Sequence, residues 1–271
     1  MTRIPLSAMI GLFFTGAYFL AAIFASWIAP YGMAEIVGDS WEPSSAKFLL
    51  GTDNIGRDLL TRMIYGGQTT IFVATAATIL SFTLGSVLGF LAAVRGGWVD
   101  QLLSRTVDLV MSIPSLITAL VVLSVMPVTL PILILVMGLL DATRVFRLSR
   151  AVAVDITVMD YVEAARLRGE KQGWIIFREI LPNALSPLEA EMGLRFIFAV
   201  LFISTLSFLG LGVQPPLADW GGIVKENREG IVYGIPAALI PAFAIATLAI
   251  SVNLVADWVL NRTTSLKGGR G

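Results

Sequence analysis

Two stretches of this chain, Leu6 to Pro30 and Met63 to Val94, contain no Asp, Glu, Lys or Arg. A bilayer-spanning helix needs about 20 predominantly apolar residues, and a helix satisfies its backbone hydrogen bonds within the segment. Runs of this length therefore restrict the chain to a bundle of membrane-crossing helices. The composition agrees: 56% of the 271 residues are apolar and 14% are charged, where an ordinary soluble domain has about a quarter charged. The formal net charge is zero, so no bulk attraction to nucleic acid is available. Cysteine and histidine are absent, which removes disulfides, thiolate and imidazole metal ligands, cysteine nucleophiles and the usual proton shuttle.

Read window by window, the chain predicts an all-α polytopic membrane protein with six transmembrane helices. The first is Leu6 to Pro30, longer than the about 7–15 apolar residues of a secretory signal and so expected to be retained. The second runs from about Thr69 to Val94, with Gly85 and Gly89 spaced for close helix packing. Helices near 106–126 and 130–149 are separated by the turn MPVTLP, with Pro127 and Pro131. The fifth runs from about Pro187 to Val213, with Ser186 as N-cap, Pro187 at the first helical position and Glu189 reaching back. The sixth runs from Ile235 to about Asn261. Asp108, Asp141 and Arg144 fall at or inside the ends of these helices, where a charge must snorkel, pair or face water. Pairing within the bundle is the expectation.

Six spans put both termini on one side. With that side cytoplasmic, fourteen of the nineteen Lys and Arg residues are inside, from Arg3 through Arg95, Arg150, Arg166 and Lys171 to Arg270. The outside keeps Lys47, Arg57, Arg62, Lys225 and Arg228. The positive-inside rule selects this orientation. The chain then divides into 1–66, a first span with an external amphipathic segment; 67–262, a five-helix core with a cytoplasmic loop at 151–186; and a short tail, 263–271.

That loop contains DYVEAARLRGEKQGWIIFREILPN, residues 160–183. Asp160 stands where an N-cap belongs and Glu163 follows three residues later, a capping-box spacing. Gly169 is the matching stop, because glycine enters the left-handed region without penalty. The predicted helix, 161–168, has about two turns and is too short to hold alone. Ala164 and Ala165 give it a slim face, and Trp174, Ile175, Phe177, Ile180 and Leu181 form an apolar stripe closed by Pro182. Two readings are open: a helix presented to a partner and anchored by the stripe, or a basic amphipathic segment lying on lipid headgroups.

Glu163-Ala164-Ala165, Gly169, then Ile180, Leu181 and Pro182 resemble the EAA loop of binding-protein-dependent ABC importer permeases. Leu50 to Gly66 (LGTDNIGRDLLTRMIYG) and Ser207 to Val224 (SFLGLGVQPPLADWGGIV) resemble the outer segments of the dipeptide, oligopeptide and nickel group, in the subunit type with a short first periplasmic loop. The resemblance covers nearly the whole chain and implies a type I ABC importer transmembrane fold. It implies that the EAA loop is a coupling helix docked in a cytoplasmic ATPase. It also implies an importer with a second, homologous permease, two ATPases and an external solute-binding protein, in a bacterial inner membrane. No G-x-x-x-x-G-K-[ST] occurs, so the chain has no Walker phosphate loop. ATP and Mg are expected on the separate ATPase, with no cofactor, metal or catalytic residue here.

Outside, Thr52-Asp53-Asn54 is expected to cap a helix beginning near Ile55, with Leu59, Leu60, Met63 and Ile64 on its apolar face. The resemblance implies an external gate or docking role for Asp53, Gly56, Arg57 and Asp58, and for Gln214, Pro215 and Trp220. A tryptophan at interface depth is equally read as an aromatic-belt anchor. An ion-coupled secondary transporter would use intramembrane charges such as Asp108, Asp141, Asp257 and Arg195. An intramembrane enzyme would need an acid/base pair among those carboxylates. Within the resembled group peptides are the first expectation for the solute, with chelated nickel, opines and other small solutes open.

Overall fold

The computed structural model describes residues 4–268, with the side chains of 186 and 262–268 excepted. Arg3 and Arg270, counted above, lie outside the described residues, as do the side chains of Arg262, Lys267 and Ser186. In chain order the helices are α1 (Leu6–Ile23), α2 (Ala25–Ile28), α3 (Leu59–Arg95), α4 (Gly97–Met111), α5 (Ser115–Val125), α6 (Leu130–Thr157), α7 (Asp160–Leu167), α8 (Gln172–Trp174), α9 (Leu181–Leu209), α10 (Trp220–Asn227) and α11 (Leu239–Gly268). Among the described residues there is no strand, only two isolated bridges, Ile36 with Arg57 and Thr52 with Asp58.

By length and apolarity α1, α3, α9 and α11 each qualify as spans, and α4 with α5 makes a fifth if the bent pair counts as one. α6 has 28 residues, but Asp141, Arg144, Arg147 and Arg150 interrupt its apolar run. The third helix is therefore not the single rod expected over 106–126. It breaks between Met111 and Ser115 with an 81° bend. Pro114 is the cause, since it lacks an N–H and pushes Ile113 out of the helical region.

Three further expectations are corrected. Leu59, Leu60, Met63 and Ile64 do not lie on a separate amphipathic helix; they are the first turns of α3. Gly56 at φ +86° keeps the chain out of a helix there, and Asp58 caps α3 by accepting from the Thr61 amide at 2.7 Å. With 37 residues α3 extends about 55 Å, well past the ~30 Å hydrocarbon thickness, so its first turns stand clear of the bilayer core.

The fifth apolar span, Pro187–Leu209, lies where expected, but its helix does not start at Ser186. Pro187 lies inside α9, which begins at Leu181 and continues from α8 through a π-helical turn, Ile175–Ile180. Ile180, Ala184 and Leu188 are all buried at four-residue spacing, so one apolar face runs across the supposed start and outweighs the cap signal. Pro182 does not close the preceding stripe either. It sits in the first turn of α9, where the missing N–H is tolerated. The Leu181 amide instead reaches back to the Ile176 carbonyl, and Asn183 Nδ2 donates to the Glu179 carbonyl at 2.7 Å.

The bundle is tightest where α3 meets α6. A Cβ added at Gly85 would lie 2.7 Å from the Ala142 carbonyl, and one at Gly89 2.8 Å from the Phe146 carbonyl. Both neighbours are backbone and cannot step aside. α1 packs on α11, where Tyr18 and Thr247 share a hydrogen bond of 2.6 Å. Gly85→Ala combined with Gly89→Ala should destabilise the chain by about 1–3 kcal/mol through overpacking, read as a lower midpoint in thermal unfolding in detergent. Gly16→Ala, inside α1 with nothing within 4 Å of the new Cβ, should leave the midpoint unchanged or slightly raised.

Candidate functional site

α7 follows α6 after two residues, Val158 and the extended Met159, whose carbonyl accepts from the amides of Val162 and Glu163 at 2.9 and 3.2 Å. The cap position thus falls one residue early. Asp160 is the first helical residue, and no side chain caps the helix. Asp160 and Glu163 instead place negative charge in the first turn, which the helix dipole favours.

The two alanines of the motif face opposite ways. Ala165 is fully buried with Val162, in a cluster with Phe90, Ile156, Ile175, Ile180 and Leu188. Glu163 and Ala164 are exposed, with Tyr161 and Arg168. Leu167 is 83% exposed, an unusual position for a leucine with no partner on its face. Gly169 takes φ +80°, and the helix ends in a Schellman arrangement: the Gly169 amide donates to the Arg166 carbonyl at 2.9 Å and the Glu170 amide to the Ala165 carbonyl at 3.2 Å. Ile180 is fully buried, Leu181 half-buried and Pro182 exposed. Arg95 at the end of α3 donates to Gln172 Oε1 at 2.9 Å. The short helix is therefore clamped on its inner side and open on its outer side.

At the opposite end of the bundle the two outer motifs form one assembly. Asp53, fully buried, accepts from Arg57 Nε at 2.6 Å and lies 3.7 Å from Arg62 Nε. Both arginines also pair with Glu226 of α10. Asn227 Oδ1 accepts from the Asn54 amide at 3.0 Å and the Trp41 indole at 3.2 Å. Gly56 brings this loop against the Gly38 carbonyl, which a Cβ would meet at 2.1 Å.

Trp220 is not a belt anchor: it is 2% exposed, donates through Nε1 to the Met63 carbonyl at 3.0 Å and covers Gly66 and Gly67. Asp219 caps α10 by accepting from the Gly221 and Gly222 amides, and burial pushes its carboxyl up to about 7. Gln214 and Pro215 are exposed. Arg62, Glu226, Asn227 and Trp41 were not selected from the sequence. The signal available was the presence of charges of both signs in two outer segments.

Asp100, Asp108, Asp141 and Glu191 each pair with an arginine. Arg147 pairs with Asp108 at 2.6 Å, Arg150 grips Asp100 with two nitrogens, and Arg195 pairs with Asp141 at 3.3 Å and with Glu191 at 2.7 Å. Asp257 is exposed on α11. The carboxylates that an acid/base or ion-coupled site would need are thus held by separate arginines at Asp108 and Asp141.

A helical bundle with a clamped short helix at one end matches a known class. Residues 85–265 match the family model of binding-protein-dependent transport system inner membrane components. The chain belongs to that family and is a permease subunit of an ABC importer. Among its relatives, a Brucella suis protein named for a peptide transport system is 37% identical over 252 residues, 93% of this chain and 85% of the relative. The di/tripeptide transport system permease DppC of Pseudomonas aeruginosa is 33% identical over 257 residues, 92% and 85% of the two chains. The oligopeptide transport system permease OppC of Bacillus subtilis is 30% identical over 251 residues, 92% and 82%.

Removing Asp53 leaves two buried guanidinium groups to share the single carboxylate of Glu226. Asp53→Ala should cost about 1–3 kcal/mol, below the penalty of leaving a buried charge wholly unpaired because Glu226 remains, measured by thermal unfolding of the purified chain. Lys47→Ala, at an exposed amine that donates to the Val37 carbonyl, should stay within about 0.5 kcal/mol.

Proposed function

We propose that this permease joins a second, homologous permease to form a path for a peptide-like solute handed over by an external binding protein. Two separate ATPase chains bind ATP and Mg and dock on α7. The chain lies in a bacterial inner membrane with both termini cytoplasmic. The observation that carries this reading is α7 itself. A helix of eight residues cannot stand alone, yet it is locked by Val162 and Ala165 and presents Tyr161, Glu163, Ala164 and Leu167 to a partner.

In this reading Ala165, Ile180 and Leu181 hold the helix, Gly169 stops it, and Glu163, Ala164 and Leu167 touch the ATPase. ATP draws the two ATPases together, and a clamped helix passes that movement to α6 and α9 as a rigid unit. The outward-facing state gains population because ATP binds it more tightly, and hydrolysis returns the inward-facing state. The peptide-like solute is supported by the names of the relatives, and the orientation by the fourteen-to-five charge bias. The assembly of Asp53, Gly56, Arg57, Asp58 and Trp220, with Gln214 and Pro215 at its surface, forms the external floor beneath the binding protein.

Single cysteines at Leu167 and at Val232, which is 85% exposed beyond α10, test the scheme in a chain with no cysteine of its own. An impermeant thiol reagent on intact cells should label Val232→Cys and spare Leu167→Cys. In membranes Leu167→Cys should cross-link to the ATPase with a yield that changes with nucleotide, and Leu167→Asp should lower uptake by about tenfold or more, about 1.4 kcal/mol of coupling. Labelling of position 167 from outside, or no cross-link in any nucleotide state, rejects the docking role.

A further inference from the structure

Between the last turns of α3 and the first turns of α9 the bundle leaves a half-open groove of about 470 Å³. Its α3 wall carries the row Thr83, Val87 and Leu91, and its α9 wall carries Leu181, Leu185 and Met192. Val87, Leu185 and Met192 are exposed although the lining around them is apolar. On the bundle side Phe90, Ile176 and Leu188 line the groove and also belong to the cluster that buries Val162 and Ala165. Left empty, the groove would deprive that cluster of contacts on one side, beneath α7.

Length and charge say what fills it. Phe82 and Leu91 mark its ends on α3, about 14 Å apart along a helix, and one leaflet of hydrocarbon is about 15 Å deep. The row Thr83, Val87, Leu91 continues at the same four-residue spacing to Arg95, exposed at the end of α3. Arg95 uses Nε on Gln172 Oε1, and among the described residues no carboxylate pairs with it, so its two terminal nitrogens can donate elsewhere. Glu189, the carboxylate on the lining, is exposed in the first turn of the apolar span Pro187–Leu209, an end from which it can snorkel to the membrane surface. The mouth therefore carries both signs, and the groove selects by its apolar length, with Arg95 fixing one end. Apolar for one leaflet's depth and then a cation with free donors: this is the order of a phospholipid read from tail to phosphate.

We propose that the groove holds an acyl chain of a phospholipid from the leaflet on the α7 side, with the lipid phosphate on the terminal nitrogens of Arg95. The ligand class is a diacyl phospholipid, of any headgroup beyond the phosphate. The chain completes the packing of Phe90, Ile176 and Leu188 and so braces the base of α7. This inference rests on the membrane-permease reading given above, but not on which side of the membrane α7 faces.

Native mass spectrometry of the full chain, purified in mild detergent, should show one retained phospholipid after looser lipids are stripped. Val87→Trp, which fills the groove from an exposed position, should abolish retention, while Phe13→Trp, on the exposed face of α1, should leave it unchanged. In exchange experiments on the wild-type chain, phosphatidylethanolamine should displace the retained lipid about tenfold better than diacylglycerol with the same chains, the size expected of one charge-assisted hydrogen bond. That comparison does not depend on the folding of any variant. Arg95→Gln should erase the preference and Arg95→Lys should keep it. Absence of a retained phospholipid in the wild-type chain, retention unchanged by Val87→Trp, equal displacement by phospholipid and diacylglycerol, or a Met192→Cys cross-link to the second permease in the assembled importer each overturns the proposal. Failure of the coupling scheme would show separately, as loss of the Leu167→Cys cross-link with the lipid still retained.

Discussion

The rest of the bundle depends on the direct approach of two backbones, where Gly85 and Gly89 of α3 lie against the Ala142 and Phe146 carbonyls of α6. α6 carries four charges between Asp141 and Arg150 and cannot face hydrocarbon alone. Pressed against α3, it brings Asp141 to Ser81 and Ser149 to Ser86, while α4 supplies Asp100 and Asp108 for Arg150 and Arg147. The last turns of α6 then deliver Met159 and α7 to the cluster beneath Phe90. A side chain at either glycine would separate the helices and disturb the charge pairs and the position of the short helix together.

Features governed by local chemistry were legible in the sequence. The uncharged windows gave helices, Pro127 and Pro131 marked the turn before α6, and Gly169 marked the end of α7, because each depends on residues a few positions apart. What failed had a cap signal in competition with packing. Ser186–Pro187–Glu189 carries an N-terminal pattern, yet buried residues on both sides of it share one face, and the helix runs through. Asp160 has no cap role because only Val158 and Met159 link α6 to α7, and Met159 takes the cap position. Pro114 lies in an apolar run with no charge or cap beside it to mark a break, yet the helix bends there by 81°.

The outer assembly shows a limit of another kind. Asp53, Arg57 and Asp58 stood out in one segment and Trp220 in another, but nothing local states that Glu226 reaches both Arg57 and Arg62, or that Trp220 covers Gly66 and Gly67. Those pairings join residues more than 150 positions apart. The inner and outer faces of α7 were equally hidden. The alanines read as one slim surface, whereas in the fold Ala165 is inside and Ala164 outside.

The π turn at Ile175–Ile180 holds one residue more than an α-helix would use over the same rise. It therefore sets the rotational phase between the α7 anchor and all of α9. Straightening this turn into an α-helix at unchanged length would turn everything beyond it by about 100°. Ile175 would then no longer share a side with Ile180, Ala184 and Leu188. The extra residue thus holds the α7 anchor in phase with the buried face and the mid-depth charges of α9.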